Sequence, residues 1–356
     1  MPLGVLKPLS VWLAWAACRP DQARNFSGPF TASALRVVEG VDVSSVSQLR
    51  FSPDETTHVA AVIVSYHPDI QEFRRVLESL RAQVAAMIVV DNGSGDGFLS
   101  ALEGLQWPEL TVLPLRRNAG IAAAQNEGIR CALEQGATHV LLLDHDSRPL
   151  TGMVPVLIKA LGRLSAKGHR VAAVGPTYVD ARQGNQPVFV RVKGLSLSRV
   201  TVPDFEDLAR VDHLIASGSL ISAPVLRDIG LMDDSLFIDY VDVEWCLRAS
   251  SRGYEVFGCF SAQMEHSLGD EPIRLLGRSF PARTPLRHYY TFRNAVALTR
   301  RSYVGSAWKQ ANLVALVIKF VFYLSFSTSR SRHLNMMLRG VWHGLRGLSG
   351  PLRETT

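Results

Sequence analysis

Short apolar runs alternate with longer amphipathic patterns between residues 58 and 174. Buried strands are predicted at five of these runs, 58–64, 87–90, 111–115, 139–143 and 171–174. Helices are predicted at 69–81, where Phe73, Leu77 and Leu80 recur at helical spacing, and at 121–135, before Gly136. This alternation predicts an α/β fold, with a doubly wound, mostly parallel sheet and helices on both faces.

Polar residues follow four of the predicted strands. Ligands of such sheets bind beyond the carboxyl ends of the strands, so we expect these residues to converge on one rim. They are Ser65 and Tyr66, Asp91 and Asn92, Asn118 and Gly120, and Asp144 and Asp146. No GxxxxGK[ST] motif is present, and no GxGxxG motif follows the first strand, which argues against P-loop NTPases and dinucleotide-binding dehydrogenases.

Asp144 and Asp146 flank a single spacer directly after a run of leucines. Two carboxylates at the mouth of a buried strand can hold Mg²⁺ or Mn²⁺ and leave coordination positions for substrate phosphates. The alternative is a helix start, because Asp146 or Ser147 before Pro149 is also suited to a cap.

Composition excludes several classes of protein. With 47% apolar and 20% charged residues, the 356-residue chain matches globular proteins and neither disordered nor collagenous ones. Four scattered cysteines without a CxxC pair argue against zinc ribbons and iron–sulfur sites. Residues 1–57 are expected to form a poorly ordered N-terminal extension, since the apolar run at 11–18 is short for a signal peptide.

Several segments, in order, resemble the family 2 glycosyltransferases of the GT-A fold. They are VAAVIVSYHPD, VVDNGSGD, RRNAGIAAAQNEGI, LLLDHDS, ASGSLIS, FIDYVDVEWCLR, MEHSLGD and PLRHYYTFRNAVAL. Within that family the chain is most similar to bacterial rhamnosyltransferases that use dTDP-L-rhamnose. The similarity covers about residues 58–300, so we expect a GT-A glycosyltransferase domain there.

The resemblance implies roles for the residues of the rim. Ser65, Tyr66 and Asp91 would line the nucleotide base pocket, although Asp91 can instead cap the turn at Asn92. The remaining donor-binding residues would be Asn118 and Gly120 near the diphosphate and Asp144 near the ribose or the metal. Asp146 and His266 would hold the Mg²⁺ or Mn²⁺ ion. Asn126 is either part of this site or a surface residue.

The resemblance also implies a catalytic base and an acceptor site. Asp242, aligned through Leu247 and Arg248, would take the proton from the acceptor hydroxyl in an inverting displacement. Asp239 is a second candidate for the base, and Glu244 would position acceptor hydroxyls. Ordinary helix-start chemistry is the alternative for these acids.

Four further residues are placed around the acceptor and the leaving diphosphate. Arg293 and Asn294 would stabilise the charge that develops on the leaving group, the alternative for Arg293 being a surface position. Ser217 and Gly218 would line the acceptor site, although an ordinary loop between a strand and a helix explains them nearly as well.

Residues 301–356 form a basic, apolar tail. They carry eight basic residues and one acidic residue, a net charge of +7, whereas residues 1–300 sum to −1. Lys319 interrupts the apolar run 312–327, so a membrane span is not predicted. Apolar residues at 334–348 fall on one helical face, which predicts an amphipathic helix on an anionic membrane surface. Packing onto the catalytic domain is the alternative, and glycines 340, 344 and 347 weaken the helix in isolation.

These features together predict an inverting, metal-dependent glycosyltransferase. It would move L-rhamnose from dTDP-L-rhamnose to a lipid-linked saccharide acceptor in O-antigen or other surface polysaccharide synthesis. We expect a cytoplasmic protein, peripheral on the inner face of the cell membrane, that binds no nucleic acid. A UDP-hexose donor and an inactive membrane scaffold are the alternatives. A nucleotidyltransferase would need a basic, glycine-rich loop where this chain has SYHPD.

Overall fold

A computed structural model describes seven stretches of the chain: 57–179, 189–193, 196–200, 207–266, 273–275, 278–280 and 283–352. The predicted extension 1–57 lies outside these residues apart from Thr57, so its predicted disorder is not tested.

A nine-stranded mixed sheet forms the centre of the described part. The strands are β1 Val59–Ser65, β2 Ala86–Asp91, β3 Leu110–Pro114, β4 His139–Asp144, β5 Ser147–Pro149, β6 Val171–Val179, β7 Val190–Lys193, β8 Ser196–Arg199, β9 Leu208–Val211, β10 Leu220–Ser222, β11 Glu255–His266, β12 Ile273–Leu275 and β13 Arg278–Phe280. The order in the sheet is β3-β2-β1-β4-β10-β6-β11-β5, with β9 also on β11, whereas β7–β8 and β12–β13 form separate hairpins.

The sheet has a parallel half and a mixed half. Strands β3, β2, β1 and β4 are mutually parallel, as the alternating pattern predicts. The short strand β10 then enters antiparallel between β4 and β6, and β11 returns parallel to β6. The carboxyl ends of β1, β2 and β4 therefore share one edge, where the predicted rim residues lie.

Helices cover both faces of this sheet. They are α1 Ile70–Arg81, α2 Asp96–Glu103, α3 Ile121–Glu134, α4 Met153–Ala166, α5 Ala223–Ile229, α6 Val241–Ser251, α7 Pro285–Thr299, α8 Ser306–Phe326 and α9 Arg330–Arg346. The β1 side chains alternate between two cores: Ala60 and Val62 pack on the side of α3, α5 and α6, and Ala61 and Ile63 on the side of α1 and α4. The predicted α/β class is confirmed.

The last three helices pack against one another at the end of the chain. Met337 of α9 is fully buried. An added Cβ at Gly344 of α9 would lie 2.7 Å from the carbonyl oxygen of Arg293 in α7. The glycines that weaken α9 in isolation therefore allow α7 and α9 to approach closely, which is the predicted alternative of packing onto the catalytic domain.

Helix α8 is longer than the sequence pattern indicates. It spans 21 residues with a mean hydropathy of 1.3, so by length and composition it is the one helix in the described part of the chain that can cross a membrane. One of its faces packs on the protein, because Asn312 donates to the carbonyl oxygen of Ala295 at 3.1 Å and accepts from the hydroxyl of Tyr240 at 2.9 Å. The opposite face exposes Leu313, Val317 and Val321.

Candidate active site

The turn after β2 holds Asp91 beside the end of β1. The Asp91 carboxylate accepts hydrogen bonds from the Ser65 hydroxyl at 3.2 Å and from the backbone N–H of Ser94 at 3.0 Å. Both Ser65 and Asp91 are fully buried, whereas Tyr66 is 45% exposed beyond the strand end. Asp91 thus caps the turn, as the alternative interpretation predicted, and a role towards a nucleotide base stays a prediction.

Asn118 organises the loop before α3. Its side-chain oxygen accepts from the backbone N–H of Gly120 at 3.0 Å and from the Asn92 amide at 3.2 Å. Gly120 has a φ of +89°, and an added Cβ would lie 2.6 Å from the ring of Phe237. The glycine is therefore needed for a close approach to residue 237, and its predicted contact with a diphosphate stays a prediction.

Asn126 of α3 is neither a surface residue nor part of the rim. It is buried, donates to the carbonyl oxygen of Met232 at 2.9 Å and accepts from the Met232 backbone N–H at 2.9 Å. Its amide also donates to Asp234. Asn126 therefore fastens the 232–236 segment to α3.

The predicted metal site begins where β4 ends. The backbone N–H of Asp144 donates to the Ser217 hydroxyl at 3.0 Å, and that hydroxyl donates to the Ser147 hydroxyl at 2.6 Å. Ser217 is buried and holds the segment that carries Asp144 and Asp146, and its role in lining an acceptor site stays a prediction. Gly218 is also buried by packing, since an added Cβ would lie 2.6 Å from Pro176.

Backbone pairing brings residue 266 to the same segment. Strands β11 and β5 pair antiparallel with His266 opposite Ser147, next to the exposed Asp146. The side chain of His266 lies outside the part of the chain that the structure describes. Among the described residues no group of three or more His, Cys, Asp or Glu side chains is arranged to hold a metal ion. Two carboxylates with further ligands from substrate phosphates remain a donor set that fits Mg²⁺ or Mn²⁺.

Asp242 lies at the start of α6 and has a perturbed carboxyl group. Burial raises its pKa above the usual range, and the charges of Asp239 and Asp144 raise it further. The neighbouring His213 and a hydrogen bond from the Val243 backbone N–H at 2.8 Å oppose this shift. A raised pKa makes the ionised carboxylate a stronger proton acceptor, which suits the predicted base.

Asp239, the second candidate for the base, has the opposite environment. Arg283 and Arg287 donate to its carboxylate at 3.0 Å, and the Thr291 hydroxyl donates at 2.8 Å. Although burial opposes it, the two arginines hold the pKa of Asp239 at about 2. A carboxylate so weakly basic and so fully hydrogen-bonded does not take a proton from an alcohol.

The carboxylate of Glu244 is bound by other side chains of the protein. It is 1% exposed and forms a two-bond ion pair with Arg248 at 2.8 and 2.9 Å. The Tyr303 hydroxyl donates to the same carboxylate at 2.5 Å. Both oxygens of Glu244 are thus hydrogen-bonded within the protein, and its role in positioning acceptor hydroxyls stays a prediction.

The side chains of Arg293 and Asn294 bind backbone carbonyl oxygens. Both are buried in α7. The Arg293 guanidinium donates to the carbonyl oxygen of Leu236 at 2.7 Å and to that of Gly350. The Asn294 amide donates to the carbonyl oxygens of Leu236, Ile238 and Asp239 at 2.8 to 2.9 Å. They hold the backbone that carries Asp239, and their role in stabilising the leaving group stays a prediction.

The segment they hold is strained. Phe237, Asp239 and Tyr240 have φ values of +64°, +63° and +65°, a region that non-glycine residues rarely adopt. Such conformations cost of order 1–3 kcal/mol each and persist where surrounding contacts enforce them. The segment leads directly into Asp242, so its geometry sets the position of the predicted base.

Three functional candidates escaped the sequence analysis. Arg283 and Arg287 lie four residues apart and face Asp239, and Arg287 belongs to the quoted segment PLRHYYTFRN. The i, i+4 spacing was their only signal in the sequence. His213 has none, because it approaches Asp242 from the loop after β9 through tertiary packing alone.

Comparisons with known proteins identify the family of this chain. The sequence profile described as glycosyl transferase family 2 matches residues 61–229. The chain is 29% identical to the dTDP-rhamnosyl transferase RfbF of Shigella flexneri over 295 residues, which cover 83% of this chain and 97% of that protein. It is 30% identical to the galactofuranosyltransferase GlfT1 of Mycobacterium tuberculosis over 253 residues, 67% of this chain and 81% of that protein.

The fold has solved counterparts. The crystal structure of GalNAc-T7 with UDP, GalNAc and Mn²⁺ matches 92% of this chain and 70% of that chain, with a TM-score of 0.51 and 13% identity. Such a likeness shows the fold alone, and it confirms the predicted GT-A architecture. The family resemblance and the enzyme class are confirmed as well: this chain belongs to the family 2 glycosyltransferases.

Proposed function

We propose that this enzyme transfers L-rhamnose from dTDP-L-rhamnose, with inversion, to a lipid-linked saccharide of a surface polysaccharide such as O-antigen. The observation that carries the donor assignment is the similarity to the rhamnosyl transferase of Shigella flexneri, which extends over 97% of that protein. The similarity to a galactofuranosyltransferase favours a second candidate, a UDP-hexose donor.

The base in this proposal is Asp242. The acceptor hydroxyl must lose its proton as it attacks the anomeric carbon, and a carboxylate of raised pKa within hydrogen-bond reach removes it. The neighbouring strained segment 237–240, anchored by Asn294, keeps this carboxylate at a fixed position on the rim. Preorganisation of this kind lowers the barrier because the base needs no rearrangement at the moment of attack.

A divalent cation would supply charge stabilisation for the leaving diphosphate. Asp144 and Asp146 would hold it, with His266 as the third ligand brought to this segment by the β5–β11 pairing. Ser217 supports the arrangement, because its hydroxyl ties the Asp144 backbone to Ser147.

We further propose that α8 and α9 place the enzyme on the inner, anionic face of the cell membrane. Leu338, Trp342 and Leu345 of α9 are more than half exposed. The net charge of +7 over residues 301–356 complements an anionic surface. The expected test is flotation with phosphatidylglycerol vesicles: the wild type floats at low salt, and Trp342→Ser weakens flotation. If all of the wild-type protein stays in the fraction without vesicles, this part of the proposal is contradicted.

The donor assignment is tested by a thermal-shift panel of nucleotide sugars with Mg²⁺ or Mn²⁺. A ligand at 100 times its dissociation constant adds about 2.7 kcal/mol of stability, which is readily measured. We expect a shift with dTDP-L-rhamnose that exceeds the shift with UDP-galactofuranose or UDP-glucose. The reverse order would favour the UDP-hexose alternative, and loss of the shift in Asp146→Ala would support the cation assignment.

A further inference from the structure

A cleft of about 310 Å³ lies between α7, the end of α9 and the backbone of residues 235–236. This volume is at the lower end of the range for ligand-binding sites, so the cleft fits a small polar group. Arg293, Arg300 and Arg301 line it, and none of its described lining residues is acidic. We call the space bounded by these three residues the arginine cleft.

Positive charge in the arginine cleft exceeds the negative charge around it. Asp233 pairs with Arg301 at 2.6 Å, and the carboxyl-terminal end of α9 contributes about half a negative charge. Asp234, the next acid along the chain, binds the amide of Asn126 on α3 instead. Three guanidinium groups thus face about one and a half negative charges, which leaves the cleft able to accept an anion.

Arg300 and Arg301 keep N–H groups for a ligand. Nη1 of Arg300 donates to the carbonyl oxygens of Gly344, at 3.2 Å, and of Leu345. No acceptor among the described residues binds its Nε or Nη2, and in that part of the chain Arg301 uses Nη2 alone, on Asp233. A guanidinium has five N–H groups in a planar fork, so both side chains keep donors that match a phosphate.

Arg293 forms the buried wall of the cleft. It is 1% exposed and donates to the carbonyl oxygens of Leu236, at 2.7 Å, and of Gly350. Burial lowers the pKa of Arg293, although Tyr289 and Asp233 oppose the shift. Carbonyl groups satisfy the guanidinium without cancelling its charge, so an anion in the cleft would stabilise this buried cation.

An apolar surface borders the arginine cleft. Leu348 lines the cleft and is 50% exposed, and Leu345, three residues earlier, is 56% exposed. Exposed leucines beside a cationic cleft match a ligand that has a phosphate head and hydrocarbon chains. The net charge of +7 over residues 301–356 would attract a lipid of this kind.

We propose that the arginine cleft binds the phosphate of an anionic membrane lipid. This inference rests on the proposed membrane placement and adds a specific head-group site to it. Arg300 and Arg301 would donate to the phosphate oxygens, with the charge of Arg293 behind them. The acyl chains would lie beside Leu345 and Leu348.

The test uses dihexanoyl phosphatidylglycerol as the probe, at concentrations where the lipid stays monomeric, so that no membrane surface forms. Calorimetry with the full chain should show binding to the wild type and a dissociation constant about 10- to 100-fold higher for Arg300→Gln. Arg332→Gln is the matched control. It removes the same charge from an exposed position at the start of α9, outside the cleft, and should bind as the wild type does.

A second pair of variants adds charge without removing an arginine contact. Ser349 lines the cleft and is exposed, so Ser349→Glu places a carboxylate beside the phosphate. The dissociation constant should again rise about 10-fold, because like charges repel. Ser331→Glu adds the same charge at the other end of α9 and should leave binding unchanged. Melting temperatures close to that of the wild type would show that the variants are folded.

Four outcomes would contradict the inference. Equal binding by the wild type, Arg300→Gln and Ser349→Glu, or no binding by the wild type, would overturn it. An equal loss in Arg332→Gln and Arg300→Gln would assign binding to general electrostatic attraction. Inorganic phosphate that binds as tightly as the lipid would overturn the lipid assignment. Displacement of the lipid by dTDP would assign the cleft to the donor's diphosphate.

Flotation separates this inference from the proposed membrane placement. A wild type that binds the monomeric lipid but does not float with phosphatidylglycerol vesicles would contradict the placement and leave the cleft assignment intact. A wild type that floats without binding the monomeric lipid would overturn the cleft assignment alone.

Discussion

Asp239 and Asp242 lie three residues apart on one strained segment and have opposite electrostatic environments. At the Asp239 end, two arginines approach from the α7 side and hold the pKa of the carboxyl at about 2. At the Asp242 end, burial and two neighbouring carboxylates raise the pKa. The contrast separates two tasks: one acid organises positive charge, and the other is left able to accept a proton.

The two carboxyl groups differ because, among the described residues, arginines contact Asp239 and not Asp242. Arg283, Arg287 and the Thr291 hydroxyl all donate to Asp239. The group that lowers the pKa of Asp242 is His213, and burial lowers the pKa of His213 itself, against the charges of Asp242 and Asp212. A carboxylate without a permanent cation keeps its basicity.

The largest expected effect is at the Asp242 end. Asp242→Asn should reduce sugar transfer by about 10²- to 10⁴-fold, because the general base is lost. Calorimetric binding of the nucleotide-sugar donor should stay close to that of the wild type. For the wild type, the transfer rate should fall as the pH drops through a value above the usual aspartate pKa of about 4, since protonated Asp242 cannot accept a proton. Near wild-type transfer by Asp242→Asn would place the base elsewhere.

At the Asp239 end the expected effect is on stability. The pKa of Asp239 in the folded protein, about 2, lies below the ordinary aspartate value of 3.8. The ion pairs therefore stabilise the fold above the unfolded pKa, by about 2 kcal/mol, and this contribution is lost as the pH falls from about 4 to 2. Asp239→Asn should lower the melting temperature at pH 7 and flatten its decline over that acid range. A parallel decline in both proteins would show that Asp239 is not the group responsible.

Asn294 tests whether the strained segment keeps the two acids apart. Asn294→Ala removes the amide that serves three buried carbonyl oxygens, and unsatisfied buried groups of this kind cost about 1–3 kcal/mol. We expect a lower free energy of unfolding and slower transfer, because the position of Asp242 depends on the same segment. Asn335→Ala, at an exposed site on α9, is the matched control and should change neither. If sugar transfer is equally slow in both variants after correction for the fraction of folded protein, the anchoring role of Asn294 is contradicted.

The two ends also differ in how far the sequence predicts them. The rim from Ser65 to Asp144 follows strand ends, and strand ends can be located from the local apolar pattern. The same pattern predicted the parallel half of the sheet but not the antiparallel insertion of β10, a strand of three residues. Strand pairing over a long separation leaves little trace in so short a segment.

The contacts around Asp239 could not be predicted from the sequence for the same reason. Arg293 and Asn294 looked like ligand-binding groups because charged and amide side chains often serve that purpose. Their partners, Leu236 and Gly350, lie 57 or 58 residues away in sequence, so only the tertiary structure shows that these side chains are saturated. The hydrogen bond from Tyr303 to Glu244 likewise spans 59 residues, so the sequence alone does not show it.

Helix α9 packs against α7, the helix that carries Arg293 and Asn294. The smallest expected effects come from changes to this packing. Gly344→Ala would place a Cβ 2.7 Å from the carbonyl oxygen of Arg293, so α9 must shift on α7, at a cost of about 1–3 kcal/mol. Gly162→Ala on α4 is the matched control, since an added Cβ meets nothing within 4 Å there and should stabilise the helix by about 0.5–1 kcal/mol. Denaturant unfolding measures both changes. Because Arg293 and Asn294 both hold the 236–239 backbone, Gly344→Ala should also slow transfer, whereas Gly162→Ala should not. Destabilisation by Gly344→Ala with normal transfer would mean that α9 stabilises α7 without influencing the position of Asp242.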